Sequence, residues 1–318
     1  MGDRTTPGIG RLLALPFWNH RERRLRLLWR LALTGVAYII AQVLLALVVT
    51  QIGIPLLLWP GMLVVTVVIV ALAARVIDRR SFTAYGMRLD GAWWADLGFG
   101  LILGAFLMAL IFLVQLAAGW LTVVDVWYAP GDQAFLQAFA GPLLVFLSVG
   151  IYEELLVRGY ILSNLGESLP PRPYPRVRIW LGLLGSSAFF GAAHLANPGA
   201  TLMSTLGIGV AGIMLGLGYA LTGRLGIPIG IHITWNLFQG NVFGFPVSGV
   251  VFTEASVFAV QQHGPELWTG GAFGPEAGLL SMLALLLGTA LIWLWARRRY
   301  GGADVHAMLM DQPEGAQG

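Results

Sequence analysis

Two glutamates and an arginine crowd into "SVGIYEELLVRGYIL", residues 148 to 162: Glu153, Glu154 and Arg158, in a run that otherwise reads as lipid-soluble helix. An ionised side chain at mid-membrane costs roughly 2.5–3.5 kcal/mol on insertion scales, so such residues point to function by default. Two other apolar runs carry the remaining strongly polar groups. "SSAFFGAAHLANPG" holds His194, and "GIHITWNLFQGN" holds His232, Asn236, Gln239 and Asn241. At about 100° per residue, Glu154 and Arg158 (i, i+4) share a helix face and can pair, while Glu153 is turned away from that arginine. Glu154–Arg158 therefore reads as a supporting pair, and Glu153 is left freer to act. His232 and Asn236 have the same spacing and present two polar groups on one face. Phe190 and His194 repeat it, so the phenyl ring can orient the imidazole. One base, one imidazole and two donors on a third helix are the parts of water-mediated amide hydrolysis: the base activates water and the donors stabilise the oxyanion.

Each of these groups has a plainer explanation when taken alone. A single intramembrane histidine is often just bonded to a carbonyl, and a Glu–Arg pair can simply pin two helices. Two glutamates, two histidines and an asparagine on three helices exceed what packing needs. No GxSxG, Ser–Lys pair or HExxH occurs. Ser186 and Ser187 lie in a small-residue packing stretch. Glu153, His194 and His232 could supply the three protein ligands of a catalytic zinc. Asn236 is a poor zinc ligand, however, and no motif places two histidines together, so a site without metal or cofactor is expected.

The elements that carry these residues are membrane spans. The chain has 318 residues, 57% hydrophobic and 11% charged, with mean hydropathy +0.75, too apolar for a soluble domain of this size. There is no cysteine, which excludes a thiol nucleophile, a thiolate metal site and a disulfide framework. A span needs about 20 apolar residues. Eight candidates result, at 28–51, 54–75, 96–122, 135–162, 179–195, 200–222, 227–245 and 277–296, predicting an all-α polytopic membrane protein with the polar residues around an intramembrane cavity. The fifth is short and the seventh polar, so both are expected to be buried by neighbouring helices. The spacing of Gly212 and Gly216 in "GVAGIMLGLG" allows close helix packing.

All the basic residues are arginine, and all but Arg158 fall at 4–30, 75–88, 172–178, 224 and 297–299. With eight spans and a cytoplasmic N-terminus, every one of them lies on the cytoplasmic side, while the opposite loops carry Asp125, Asp132, Glu254, Glu266 and Glu276 and no arginine. Positive-inside bias then sets both termini in the cytoplasm of what the arginine usage suggests is a prokaryotic cell. Arginines beside apolar segments are no nucleic-acid footprint; lipids are the expected surroundings. The chain divides into an arm at 1–27, N-terminal spans at 28–134, a core at 135–244, an outer loop at 245–276 that is able to fold back over the bundle, and a last span with its tail at 277–318. One mismatch stands out. Measured from their arginine ends, His194 lies about 24 Å up its helix and His232 about 12 Å up its own. The two meet if the fifth helix tilts or begins outside the membrane, and "ESLPPRPYPRVR" suits the second.

In the order "EELLVR", "FGAAH", "HITWN", the chain resembles the EExxxR, FxxxH and HxxxN motifs of the CPBP (Abi) intramembrane proteases, which include the type II CAAX prenyl endopeptidases. The resemblance covers 135–244. It implies an eight-helix bundle, Glu153 as catalytic glutamate, His194 assisting water activation, His232 and Asn236 as oxyanion hole, and Glu154 and Arg158 in support. It also implies a peptide or protein substrate, membrane-anchored or lipidated. Other readings of the same residues are a non-catalytic immunity or scaffold protein of this fold, and a proton-coupled transporter, although no inverted repeat is present.

Overall fold

The computed structural model describes residues 16–20, 22–168, 175–252 and 255–301 and is 74% helical. A short hairpin, β1 (Trp18–Asn19) and β2 (Arg24–Leu25), leads into α1 (Leu27–Ile52). The chain returns through a 3-10 turn into α2 (Leu58–Leu72), which ends in a π-helical turn, Ala73–Asp78. Next come α3 (Gly91–Ala117), β3 (Leu121–Tyr128) and α4 (Phe135–Glu154), the last wound onward as a π-helix (Leu155–Leu162) and a final turn (Ser163–Gly166). The remainder is α5 (Pro175–Ala193), α6 (Leu202–Thr222), α7 (Gly226–Leu237) with a π-helical extension (Phe238–Val242), β4 (Ser256–Gln262) and α8 (Leu279–Tyr300).

Among the described residues, seven helices are long and apolar enough to cross a membrane. Together with the composition they make this an integral, all-α membrane protein. The seventh expected span, 227–245, is present as α7 and its extension, but it is shorter than the others and buried on every face from Gly226 to Trp235. Apolar content does not distinguish a helix that faces lipid from one wrapped by protein, and α7 is the wrapped kind. It lies against α3 where Gly100 and Gly230 allow backbone contact: a Cβ on Gly230 would sit 2.5 Å from the Leu97 carbonyl, and one on Gly100 would sit 2.4 Å from that of Ile227. Gly212 and Gly216 meet Ser187 and Leu183 of α5, the close packing their spacing suggested.

The third span begins before its expected start because Asp90 caps it, accepting from the Trp93 N–H at 2.9 Å. It ends early because the β-branched and aromatic "LTVVDVWY" forms an antiparallel ribbon with β4. Residues of this kind suit a strand; only its first two, Leu121 and Thr122, fall inside the expected span. The 245–276 loop does fold back: Gly249 N–H donates to the Phe273 carbonyl at 2.7 Å and Asn241 Nδ2 to the Ala255 carbonyl at 2.5 Å.

The arginine-bearing segments gather at one end of the bundle. Glu167 accepts from Arg24 at 3.1 Å and from Arg80. Asp78 accepts from Arg30 at 3.0 Å, from Asn164 at 3.3 Å and from the Tyr85 hydroxyl. Arg178 Nε donates to the Gly166 carbonyl at 2.8 Å and Arg224 pairs with Asp90 at 3.3 Å. Burial works to raise the Glu167 carboxyl, but the Arg80 guanidinium outweighs it and holds the group below the usual carboxylate range. Most of the expected arm (1–15), the stretch 169–174 of "ESLPPRPYPRVR" and the tail from 302 lie outside the described residues.

Candidate active site

A cavity of about 570 Å³ opens among α1, α2, α4, α5 and α7. Glu153, Phe190, His194, His232 and Asn236 all line it, so residues far apart in sequence reach one space. Glu153 and Glu154 stand where α4 changes to π-helical winding at Leu155; wide turns of this kind recur at functional sites.

Arg158 Nη1 donates to Glu154 Oε1 at 2.6 Å, and both side chains are fully buried. The guanidinium also stacks on the Phe190 ring at 4.1 Å. Glu154 has a second partner that its helix face alone did not indicate: His232 Nδ1, at 2.7 Å from the same Oε1. A carboxylate can only accept, so Nδ1 carries the proton, and the ring is fixed by the group behind it. His232 Nε2 then points toward Glu153 Oε2 at 3.7 Å, too far for a direct hydrogen bond.

Glu153 differs from its neighbour in access and in pairing. Its side chain is 21% exposed, against 0% for Glu154. Oε2 has no hydrogen-bond partner among the described residues in either glutamate; the difference lies in Oε1, which in Glu153 accepts only weakly from the Tyr152 hydroxyl at 3.4 Å and in Glu154 holds Arg158 and His232. If His232 were neutral, its Nε2 lone pair would face the lone pairs of Glu153. The pair is relieved by one proton, on Nε2 or on the carboxylate, and with the proton on Nε2 the ring offers an N–H donor at the cavity wall.

His194 is the first residue of a 3-10 turn (His194–Ala196) that finishes α5. Its Nδ1 lies 2.8 Å from the Phe190 carbonyl; a carbonyl only accepts, so Nδ1 donates and the lone pair is on Nε2. The Phe190 ring stands edge-on to His194 at 4.8 Å and to His232 at 6.1 Å. This one ring reconciles the depths of the two histidines, and with the Arg158 guanidinium it forms the floor beneath both. Asn236 sits one turn beyond His232, half-buried on the cavity wall, and its side-chain amide makes no hydrogen bond among the described residues.

Among the described residues, no group of three His, Asp or Glu side chains is arranged to hold a metal ion. Two cavity residues are not evident from sequence. Tyr152 is hidden by its apolar neighbours, although its place beside Glu153 in "IYEE" is the signal. Glu276, in sequence only an outer-loop acid, also lines the cavity.

Fold and site together define a polytopic helical membrane protein with a carboxylate–histidine cavity. Residues 135–238 match the model of the type II CAAX prenyl endopeptidase Rce1-like family. Over that segment the chain is CAAX-protease-like, and all the site residues expected from sequence fall inside it. No curated protein and no solved structure matches the chain.

Proposed function

We propose that the protein is an intramembrane endopeptidase that hydrolyses a peptide bond with water activated by Glu153 and His194. The observation that carries this reading is the partnerless Glu153 Oε2, on a cavity wall, facing a histidine that a second carboxylate orients from behind. Glu153 takes a proton from water while His194 Nε2 holds that water. The water oxygen bonds to the peptide carbon, and the carbonyl oxygen becomes an oxyanion between His232 Nε2–H and the Asn236 amide. The C–N bond then breaks and the proton held by Glu153 goes to the leaving amine. Glu154 holds the His232 ring through Nδ1, and Arg158 holds Glu154. No step requires a metal or other cofactor.

The cavity walls are largely apolar, with Val145, Phe146, Leu156, Ile208 and Met214 among them. They suit a membrane-anchored or lipid-bearing peptide, and the prenyl group in the family's name is one such lipid. The arginine end faces the cytoplasm with both termini. Comparing the membrane proteome of cells making the wild type and Glu153→Gln tests the function: new peptide termini should depend on Glu153. Identical termini in the two would favour a non-catalytic immunity or scaffold role. Proton-driven flux in vesicles, lost in Glu153→Gln, would favour transport.

A further inference from the structure

Glu276 comes from the chain beyond the family match and is not used in the mechanism above. It sits in a 3-10 turn (Pro275–Ala277) just before α8, only 8% exposed, with its side chain at the cavity. Its carboxylate gathers three donors. Oε1 accepts from the Ser248 N–H at 3.1 Å and the Ser248 hydroxyl at 3.2 Å; Oε2 accepts from Gln239 Nε2 at 2.5 Å.

Each donor leads to a residue of the site. Gln239 lies in the extension of α7, the helix of His232 and Asn236, and its amide is also held by the Pro246 carbonyl at 2.6 Å. Ser248 belongs to the loop that covers the cavity, and its carbonyl accepts from Asn197 Nδ2 at 3.1 Å, one turn past His194. The loop fits tightly here: Gly249 has φ +84°, and a Cβ there would lie 1.9 Å from the Pro198 carbonyl. The turn after His194, the end of the His232 helix and the start of α8 thus meet on one carboxylate.

Among the described residues, no cation faces this group. The elements packed against it, residues 202–222, 238–242, 246–250, 266–269, 271–274 and 279–288, contain no His or Arg, and their one acid is Glu266. Across the cavity the titratable groups are Glu153, His194, His232 and the phenols Tyr38 and Tyr152. A carboxyl buried without a counter-charge is costly as a mere loop pin, where an amide would serve. Burial pushes its pKa up to about 7.

We propose that Glu276 is a positioning residue: by holding Gln239 and Ser248 together it sets the separation of His194 and His232 and closes the cavity at the end away from the arginines. The inference rests on the peptidase reading for its kinetic consequence, but the closure does not. The closed cap binds a proton more tightly than an open one, in which the carboxyl would titrate near its ordinary value of about 4.3. Protonation therefore favours closure, fully at low pH, and closure weakens as pH rises through about 7.

The test uses the full chain in lipid vesicles. Val247, buried at the cavity wall, is changed to Cys in a protein that has no other cysteine, and maleimide labelling reads cap opening. Glu276→Ala should label several-fold faster. On a peptide whose cleavage depends on Glu153, it should lower kcat by roughly 10- to 100-fold with little change in KM, since a misplacement of about 1 Å costs on that order. Glu276→Gln keeps the size and cannot ionise, so it should lack the rise in labelling that the Val247→Cys protein shows above about pH 7, after correction for thiol reactivity. A lower melting temperature with unchanged kcat per folded molecule would make Glu276 a loop pin and overturn the proposal. If even wild type cleaves nothing, the peptidase reading fails; labelling still decides closure, and an unchanged rate in Glu276→Ala overturns that too.

Discussion

The protein buries carboxylates beside arginines in two places, and the two are built differently. At the arginine end, four guanidinium groups meet three carboxylates: Arg24 holds Glu22 and shares Glu167 with Arg80, Arg30 holds Asp78 with help from Tyr85 and Asn164, and Arg178 lies close by on the Gly166 carbonyl. At the cavity, two glutamates have only Arg158 as a permanent cation, and it is committed to Glu154. His232 must bridge the rest. The same side chains therefore make a clamp where cations are in surplus and a reactive site where they are in deficit and a cavity wall exposes the deficit.

The largest effect that separates the two regions is expected for Glu153→Gln, which keeps the shape and removes the base. Its kcat should fall by at least about 10²–10⁴, the usual contribution of a general base, with its melting temperature close to wild type. Asn236→Ala should lose about 10²–10³ in kcat, as for an oxyanion donor, with little change in KM. Asn236→Asp should be at least as damaging, since a carboxylate repels the developing charge. Unchanged kcat in Asn236→Ala would remove it from the site.

Glu154→Gln should reduce activity and stability together. It leaves Arg158 without its counter-charge, and breaking a buried pair costs about 3–5 kcal/mol; it also weakens the hold on His232 Nδ1, which then meets a neutral amide oxygen. Glu167→Gln should do the opposite of Glu153→Gln, lowering the melting temperature while leaving turnover per folded molecule intact. Its pH signature has a definite sign. The folded carboxyl is held below its ordinary value, so its contribution is present above about pH 4–5 and is lost as pH falls through the lower folded value. Wild type should lose more stability on acidification than Glu167→Gln does. The smallest perturbation is a single cysteine in place of the exposed Thr83 or of Val260, which should be labelled from the cytoplasm and from outside, respectively. The reverse pattern would invert the bundle.

The sequence is most legible where one physical rule acts alone. Ionised residues in an apolar run are expensive, and that cost by itself marks Glu153, Glu154 and Arg158. Helical periodicity places Arg158 on Glu154, and it is there. Three relations escape such rules. The His232–Glu154 bond joins two helices, and single-helix periodicity carries no information on how helices are rotated against each other. The β3–β4 ribbon pairs segments more than a hundred residues apart. Glu276 reaches the cavity only because the loop before it folds back, which is a matter of loop contacts with no periodic trace. The sidedness of the bundle rests on arginine counting, to which the structure adds that Arg24, Arg30, Arg80, Arg178 and Arg224 are held at one end.

The central claim is that Glu153 and Glu154, adjacent in sequence, divide into a base and a support. Its most direct test is the turnover of Glu153→Gln and Glu154→Gln in vesicles, on one membrane-anchored peptide, normalised to folded protein and paired with melting curves. Loss of turnover at wild-type melting temperature for Glu153→Gln, against a joint loss for Glu154→Gln, is the predicted result. Wild-type turnover in Glu153→Gln, or matching losses of activity and stability in both variants, would contradict it.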